Sequence, residues 1–211
     1  MCKLIMIIGI ISMICRSESA TIVTLDYDPQ KCLTSPSQDI KLEKTNLEEA
    51  QKTITLLKST LKPFLPAAGL AAPQIGINQN IFIFSWDRSE AQQIAVINPS
   101  FEAISEEKDT SWEGCFSLIL GDGPYKIVNI ARYKKIKVKY INEFGQPITQ
   151  ILEGFAARVF QHEYDHLKGI VTIHHQEAEI KTFESKEEAF SFMDQVKESE
   201  AINYIRPVDV L

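Results

Sequence analysis

Two histidines and a glutamate lie close together in the segment His162-Glu163-Tyr164-Asp165-His166, in a chain of 211 residues that has four histidines in all. On a helix this spacing puts both imidazoles on one face, one turn apart, where they could share a metal ion. Glu163 would then point toward the open position of the metal, where it could handle the proton of a water. The pattern therefore predicts a metal-dependent hydrolase. The identity of the third metal ligand would indicate which class of hydrolase it is.

The residues downstream of this segment supply only weak candidates for a third ligand. Metzincin-type proteases place a third histidine six residues after the second, but position 172 of this chain is a threonine. His174 and His175 follow two and three residues later, in a segment that we expect to be a strand. Glu187 or Glu188 could serve instead, as a distant acid does in other zinc proteases. A zinc endopeptidase is therefore one interpretation of this helix.

Cys115 is the better candidate, because a thiolate binds borderline divalent metals strongly. It follows Glu113 and Gly114 and is close to Ser117, so an acid and a hydroxyl lie near it in sequence. With the two histidines it would complete a Cys-His-His set that leaves one coordination position open. A lone cysteine is also a common small core residue, so Cys115 by itself does not decide the class of enzyme.

The composition is typical of a folded globular protein, since 45% of the residues are hydrophobic and 24% are charged. A length of 211 residues suits one domain with a substantial core. The formal net charge of −6 argues against nonspecific binding to nucleic acid or to an anionic membrane, because both need a basic face. We expect a single catalytic domain over residues 20–211.

Residues 1–19 differ from the rest of the chain. The positively charged Lys3 precedes an apolar run over residues 4–15, and small polar residues follow this run. The run is too short to span a bilayer, and its layout is typical of a secretory signal peptide. An N-terminal extension packed on the domain is the alternative. Without this segment only Cys32 and Cys115 remain, which is not a disulfide framework.

Three segments have the sequence pattern of helices. The first covers residues 47–62, with Asn46 as its N-cap. The second carries the His-Glu-x-x-His motif, begins after Gly154 and ends near Gly169. The third covers about residues 186–199 and opens with a capping box.

Other segments have the pattern of strands. Buried strands are predicted at residues 81–84 and 95–97, and Pro99 is expected to end the second one. Strict alternation over residues 135–141, followed by a turn and residues 148–152, predicts a half-solvated hairpin in an antiparallel sheet.

Three separated segments resemble the three signature motifs of the peptide deformylases. They are residues 69–74 (GLAAPQ), 113–117 (EGCFS) and 161–167 (QHEYDHL), in the order and at about the separations of that family. The resemblance implies an α+β fold in which antiparallel strands pack around a central metal-binding His-Glu-x-x-His helix. It also implies a hydrolase that removes the N-formyl group from the N-terminal methionine of newly made polypeptides and releases formate.

The resemblance also implies roles for single residues. Cys115, His162 and His166 match the metal ligands, with water as the fourth ligand. The usual ion is Fe²⁺, for which Zn²⁺, Ni²⁺ or Co²⁺ can substitute. Glu163 matches the residue that takes a proton from the water and later gives it to the leaving amine.

Further matches surround the reacting group. The Gln74 side chain and the Phe116 backbone N–H match the groups that stabilise the oxyanion, and the Gly69 backbone matches a position that approaches the substrate. Glu113 matches an acid that pairs with an arginine, for which Arg132 is the candidate. The side chains that match the substrate pocket, which receives the methionine, are Ala68, Phe155, Arg158 and Val159.

Three residues depart from the family pattern. Ala67 stands where a glycine is usual, Ala68 where a bulkier apolar residue is usual, and Phe116 where leucine is usual. These departures leave a second alternative open, in which the chain is an inactive deformylase-like protein that binds formylated or modified peptides.

The expected partners are N-formylmethionyl nascent peptides, at the ribosome. This substrate and a reduced thiol at Cys115 favour the cytoplasm, whereas the signal-like residues 1–19 leave export open. We expect no nucleic-acid binding, and contact with a membrane only through the N-terminal apolar segment if it is retained.

Overall fold

The computed structural model describes residues 19–41, 43–199, 202 and 204–210. A signal peptide or extension was expected at residues 1–19. Residues 1–18 lie outside the described part of the chain, so this expectation stays a prediction. In chain order the helices are α1 (Lys44–Leu61), α2 (Phe116–Ile119), α3 (Phe155–Leu167) and α4 (Lys186–Ser199). The strands are β1 (Gly69–Ala71), β2 (Ile81–Ser85), β3 (Gln93–Ala103), β4 (Lys108–Gly114), β5 (Tyr125–Tyr133), β6 (Lys135–Ile141), β7 (Pro147–Glu153), β8 (Glu179–Phe183) and β9 (Val208–Asp209).

The strands form two antiparallel sheets. Within the described residues, the larger sheet has six strands in the order β1-β2-β3-β6-β7-β9, and the smaller has three in the order β4-β5-β8. Every pair of neighbouring strands in them is antiparallel. The prediction of antiparallel sheets combined with helices is therefore confirmed.

Strand β2 is buried on both faces, which explains its run of large apolar residues. Successive side chains of a strand point to opposite faces. Ile81 and Ile83 pack with Leu57 of α1 and its neighbours on one face. Phe82, from the opposite face, packs edge-on against Phe160 of α3 with ring centroids 5.1 Å apart. The larger sheet is therefore covered by α1 on one side and by α3 on the other.

The smaller sheet packs against α4. Trp112 of β4 and Phe183 of β8 both contact the ring of Phe192 on this helix, with ring centroids 5.2 and 5.4 Å away. Ala189 of α4 is buried in the same cluster as Ile127 of β5. Helix α3 contacts β5 as well as β1, β2 and β7, so it touches both sheets.

Strand β3 continues past Pro99, so the predicted end at this residue was wrong. The register against β6 shifts between Ile97 and Ser100, which marks a β-bulge. Asn98 in the bulge has a φ of 49°, and its side chain exchanges two hydrogen bonds with the backbone of Ile40, at 2.9 and 2.8 Å. A bulge is one of the few positions inside a sheet that tolerates proline, which has no N–H to donate.

Two local predictions were also wrong. Helix α1 begins at Lys44 with Glu43 as its N-cap, because the Glu43 carbonyl already accepts the N–H groups of Asn46 and Leu47. His174 belongs to a 3-10 turn, Thr172–His174, and not to a strand.

The remaining element predictions are confirmed. The hairpin is formed by β6 and β7, and the two C-terminal helical segments are α3 and α4. The capping interaction of α4 is present, since the N–H of Glu188 donates to Ser185 Oγ at 3.2 Å. Among the described residues, no helix combines the length and apolar character that crossing a membrane requires.

Replacing Phe160 by alanine is expected to lower the free energy of unfolding by about 3–5 kcal/mol, because a fully buried ring is lost from the face of α3. Urea denaturation measures this loss. The control is Phe144→Ala in the hairpin turn, where the side chain is 71% exposed, and it should change stability by less than about 0.5 kcal/mol. Equal losses in the two variants would contradict the packing described here.

Candidate active site

Glycines define both ends of α3, the helix that carries the His-Glu-x-x-His motif. Gly154 precedes the helix with φ 61° and ψ −129°, and Gly169 follows it with φ 73°. A Cβ at position 169 would lie 2.8 Å from the backbone of Ser35, so a larger residue would clash there. The conformations of these two glycines therefore help to define where the helix begins and ends.

Cys115 connects β4 to α2 and is the N-cap residue of that short helix. Its side chain is buried, and Sγ lies 3.4 Å from Nε2 of His166. The Nδ1 of His162 lies 2.9 Å from the Oε2 of Glu113. The other ring nitrogen of His162, Nε2, is therefore available on the side of Cys115 and His166. The structure thus brings together the cysteine of one predicted motif and the two histidines of another.

These three side chains fit a divalent metal ion. Each offers one donor atom, and the three donors of Cys115, His162 and His166 lie within 4.8 Å of one another. A thiolate with two imidazoles is a donor set that suits zinc or iron and leaves a coordination position open. Among the residues that the structure describes, this is the one group of three potential ligands with such geometry.

The protonation of the two histidines differs. Burial holds the pKa of His166 well below its ordinary value, so its imidazole is neutral, as a metal ligand must be. Burial also acts to lower the pKa of His162, but its hydrogen bonds with Cys115 and Glu113 raise it well above the ordinary value. A metal ion at this site would therefore compete with a proton for His162.

Glu163 is buried beside the cluster. Its Oε2 has no hydrogen-bond partner among the described residues, and burial raises its pKa to about 7. A Cβ at position 69 would lie 2.5 Å from the Oε1 of Glu163, so the glycine of β1 leaves the space that this carboxyl group occupies. A carboxyl group with such a pKa can both accept and donate a proton near neutral pH.

Gln74 and Phe116 lie beside Cys115 on different elements. The Gln74 side-chain N–H group lies 3.7 Å from the Sγ of Cys115 and 3.3 Å from the Oγ of Ser117. Its Oε1 accepts the N–H of Ala71 at 2.9 Å, which fixes which end of the amide faces the cysteine. Phe116 is the first residue of α2, where a backbone N–H has no acceptor within the helix.

Glu113 is a buried carboxylate with three cationic or donor partners. Arg132 approaches it with two nitrogens, at 3.1 and 3.0 Å, and Nη1 of Arg158 lies 2.8 Å from Oε1. His162 supplies the third contact. Burial acts to raise the pKa of Glu113, but Arg132 and His162 hold it well below its ordinary value. The expected pair of Glu113 with Arg132 is thus part of a larger network.

The network continues from Arg132 to the C-terminal side of α3. Arg132 also forms an ion pair with Asp165, and Asp165 lies 2.8 Å from the Nε2 of His175. His174 accepts the N–H of Val171 through Nδ1 at 3.1 Å. Both histidines are therefore engaged away from the His162 and His166 pair and do not complete its ligand set.

Arg158, which was expected in the wall of the methionine pocket, lines the cavity. Its guanidinium also contacts Glu113, the carbonyl of Ile130 at 3.0 Å and the carboxylate of Asp109 at 2.7 Å. Sequence reasoning missed Asp109, although the alternation of Asp109, Ser111 and Glu113 along β4 is a signal that they share one face.

A cavity of about 350 Å³ opens beside Glu163. Every predicted site residue except His166 and Arg132 lines it, including Ala68, Phe155 and Val159. Several lining residues were not predicted, because they come from parts of the chain that no motif marks. They include Arg88 and, from α4 and the segment after it, Phe190, Met193, Val196, Lys197 and Ile202.

Comparison with known proteins gives a consistent result. Residues 22–189 match the sequence profile of the polypeptide deformylase family. A peptide deformylase from Thermotoga maritima is 43% identical over 126 residues, which cover 60% of this chain and 71% of the relative. Peptide deformylase 2 from Rickettsia conorii is 36% identical over 166 residues, 73% of this chain and 79% of the relative. The crystal structure of the Thermotoga maritima enzyme superposes with a TM-score of 0.62 at 37% identity, covering 74% of this chain and 96% of that one.

Replacing Glu113 by glutamine should lower the free energy of unfolding by about 3–5 kcal/mol, because two buried arginines lose their shared carboxylate. The matched control is Glu102→Gln, since Glu102 is 65% exposed and pairs with Lys137 at 3.3 Å; its loss should stay below about 1 kcal/mol. Urea denaturation of both variants measures the difference. A Glu113 variant as stable as the wild type would contradict the role given to this network.

Proposed function

This chain belongs to the polypeptide deformylase family, and we propose that its Cys-His-His cluster together with Glu163 carries out the deformylase reaction. The enzyme is a hydrolase that removes the N-formyl group from newly made peptides. The observation that carries the assignment to these residues is the convergence of Cys115, His162 and His166 within 4.8 Å beside a buried carboxyl group.

Cys115, His162 and His166 would hold one divalent ion, and we propose Fe²⁺ as that ion. When bound, the ion would polarise the formyl oxygen and lower the pKa of a water at the open position. The same donor set accepts other borderline metals, so Zn²⁺, Ni²⁺ or Co²⁺ are expected to substitute. The proposed metal-binding role of α3 follows from the position of both histidines on it.

Glu163 carries the proton between water and product. Its unpartnered Oε2 takes a proton from the water that attacks the formyl carbon, and the same carboxyl group then gives it to the amine nitrogen as the C–N bond breaks. Formate and a free N-terminal amine are the products. Burial supports both steps, because it raises the pKa of Glu163 to about 7 and so favours neither protonation state strongly.

Two donors are placed to stabilise negative charge on the formyl oxygen. The Gln74 side chain is held next to Cys115 with its N–H group turned toward the sulfur, and the Phe116 N–H begins α2 at the next residue. Donors that are fixed before the reaction cost no reorganisation when charge develops, so they lower the barrier more than mobile water would.

The peptide is expected to bind as an extended strand between the two sheets. Within the described residues, β1 is one of the two edge strands of the larger sheet and β4 one of the two edge strands of the smaller. Gly69 of β1 and Ser111 and Glu113 of β4 line the same cavity. An edge strand offers backbone donors and acceptors to an extended peptide, so Gly69 would approach the substrate through its backbone.

We propose residues 20–211 as one catalytic domain. The substrate is made at ribosomes, and Cys115 must stay reduced to bind a metal, so we place the enzyme in the cytoplasm, acting on chains as they leave the ribosome. The signal-like residues 1–19 are not assigned a role in this reaction.

Deformylation can be measured as formate released from formyl-Met-Ala-Ser by the protein loaded with Fe²⁺. Glu163→Gln should lower kcat by about 10²–10⁴-fold and keep the metal, because only proton transfer is lost. Cys115→Ala should lose both metal and activity. The matched control is Cys32→Ala, a buried cysteine outside the cluster, which should keep both.

These variants also separate the proposal from its rivals. A zinc endopeptidase that uses a distant acid would keep metal and activity in Cys115→Ala. An inactive peptide-binding protein would bind formyl-Met-Ala-Ser and release no formate. Either result would contradict the proposed function.

Gly69→Ala should lower kcat by about tenfold or more at unchanged metal content, because the added methyl group would displace the carboxyl group of Glu163 and a shift of about 1 Å at a reacting group can cost about 10²-fold. Metal analysis and formate release on the same sample test this expectation. A variant with wild-type kcat would show that Glu163 does not need its position against β1.

A further inference from the structure

Arg88 lies in the segment between β2 and β3 and lines the cavity that also contains Cys115 and Glu163. The side chain is half-buried, and its guanidinium carbon lies 4.5 Å from the ring centre of Phe155, which lines the same cavity. An aromatic face attracts a cation in this geometry and so keeps it in place. A positive charge is therefore held at the surface of the cavity.

The charge of Arg88 is not neutralised by the protein. Arg158 and Lys197 also line the cavity, but Arg158 pairs with Glu113 at 2.8 Å and Lys197 pairs with Asp194 at 2.7 Å. Within the described residues, Arg88 has no such ion pair, and its buried Nε has no hydrogen-bond partner. Arg88 therefore remains available for an anion that comes from outside the protein.

The surroundings of Arg88 favour a carboxylate as that anion. Burial lowers the pKa of Arg88 below its ordinary value, although the hydroxyl group of Tyr204 and the charge of Asp194 act in the opposite direction. A guanidinium that is partly removed from water is stabilised by an anion beside it. Its planar set of N–H donors matches the two oxygens of a carboxylate.

Helix α3 indicates how far Arg88 lies from the reacting groups. Phe155, which contacts the guanidinium, is the first residue of this helix, and His162 of the metal cluster comes seven residues later. A helix rises about 1.5 Å per residue, so these two residues lie about 10 Å apart along its axis. An extended peptide advances about 3.3 Å per residue. With the formyl group at the cluster, the third residue of the substrate would therefore lie near Arg88.

Strand β1 leads in the same direction. Gly69 lies against the carboxyl group of Glu163, and the three residues before it also line the cavity. The last of these, Ala68, accepts the N–H of Ser85 through its carbonyl at 2.7 Å, and Arg88 comes three residues after Ser85. A peptide that follows this edge from Glu163 along the cavity thus extends toward Arg88.

We propose that Arg88 binds a carboxylate carried by the third residue of the formylated peptide, so that the enzyme favours an acidic residue there. The inference rests on the proposed function and deepens it. The carboxylate can be an acidic side chain of a nascent chain or the C-terminus of a formylated tripeptide, since both are attached to the third residue. Because Arg88 is distant from the reacting atoms, the contact lowers KM and leaves kcat unchanged.

The test measures formate release by the full-length protein loaded with Fe²⁺ from formyl-Met-Ala-Glu amide and formyl-Met-Ala-Gln amide. The two peptides have nearly the same shape and differ by one charge. The wild type should have a kcat/KM about fivefold higher for the glutamate peptide, through KM, as expected for a partly exposed ion pair. Comparing formyl-Met-Ala-Ser with its amide then shows whether a C-terminal carboxylate binds as well or the side chain alone does.

Three variants of Arg88 connect this preference to its charge. Arg88→Ala should abolish the preference for the glutamate peptide, and Arg88→Lys should keep part of it, because the positive charge remains. Arg88→Glu should reverse the order and favour formyl-Met-Ala-Lys amide over the glutamate peptide. A reversal between two substrates of one protein sample cannot come from a loss of folded protein.

Arg206→Glu is the matched control, because it makes the same change of charge at an exposed arginine that does not line the cavity. It should leave the ratio of kcat/KM for the glutamate and glutamine peptides within about twofold of the wild type, since solvent and salt screen a distant charge.

The inference is overturned if the wild type uses both amides equally well, or if its preference survives in Arg88→Ala. A preference that appears only with glutamate at the second position, in formyl-Met-Glu-Ser amide, also contradicts it. A wild-type protein that releases no formate from any of these peptides would refute the proposed function instead.

Discussion

The site depends on one buried carboxylate, Glu113, and on the charges gathered around it. A carboxylate removed from water is costly unless it is paired, and here Arg132, Arg158 and His162 all contact it. The partners come from β5 and α3, while Glu113 itself is on β4. One set of ion pairs therefore ties the smaller sheet to the helix and orients an imidazole that faces Cys115.

The burial of α3 contributes both to the stability of the fold and to the properties of the site. Its aromatic face packs against β2, so the helix is part of the core. The same burial raises the pKa of Glu163 and lowers that of His166, which suits a proton carrier and a metal ligand. Position 69 of β1 requires glycine, because a side chain there would occupy the space of the Glu163 carboxyl group.

The cavity combines two parts of the chain with different origins. The end that contains the cluster of Cys115 and the two histidines is built from β1, the β4 to α2 junction and α3, all within the residues that match the family. The other side is lined by residues of α4 and the segment that follows it. The cavity therefore depends on packing between segments that lie far apart in the sequence.

The sequence was enough to indicate the family and to predict two metal ligands, because motif spacing is local: three concordant motifs pointed to the family, and His162 and His166 share a helix face wherever that helix packs. It also predicted β2, the hairpin and α4 from periodicity. No sequence pattern showed that the Arg158 guanidinium binds Glu113, that β3 passes Pro99 through a bulge, or that residues of α4 line the cavity; these features appear in the folded structure. Those outcomes depend on contacts between residues far apart in the chain, for which a local pattern carries no signal.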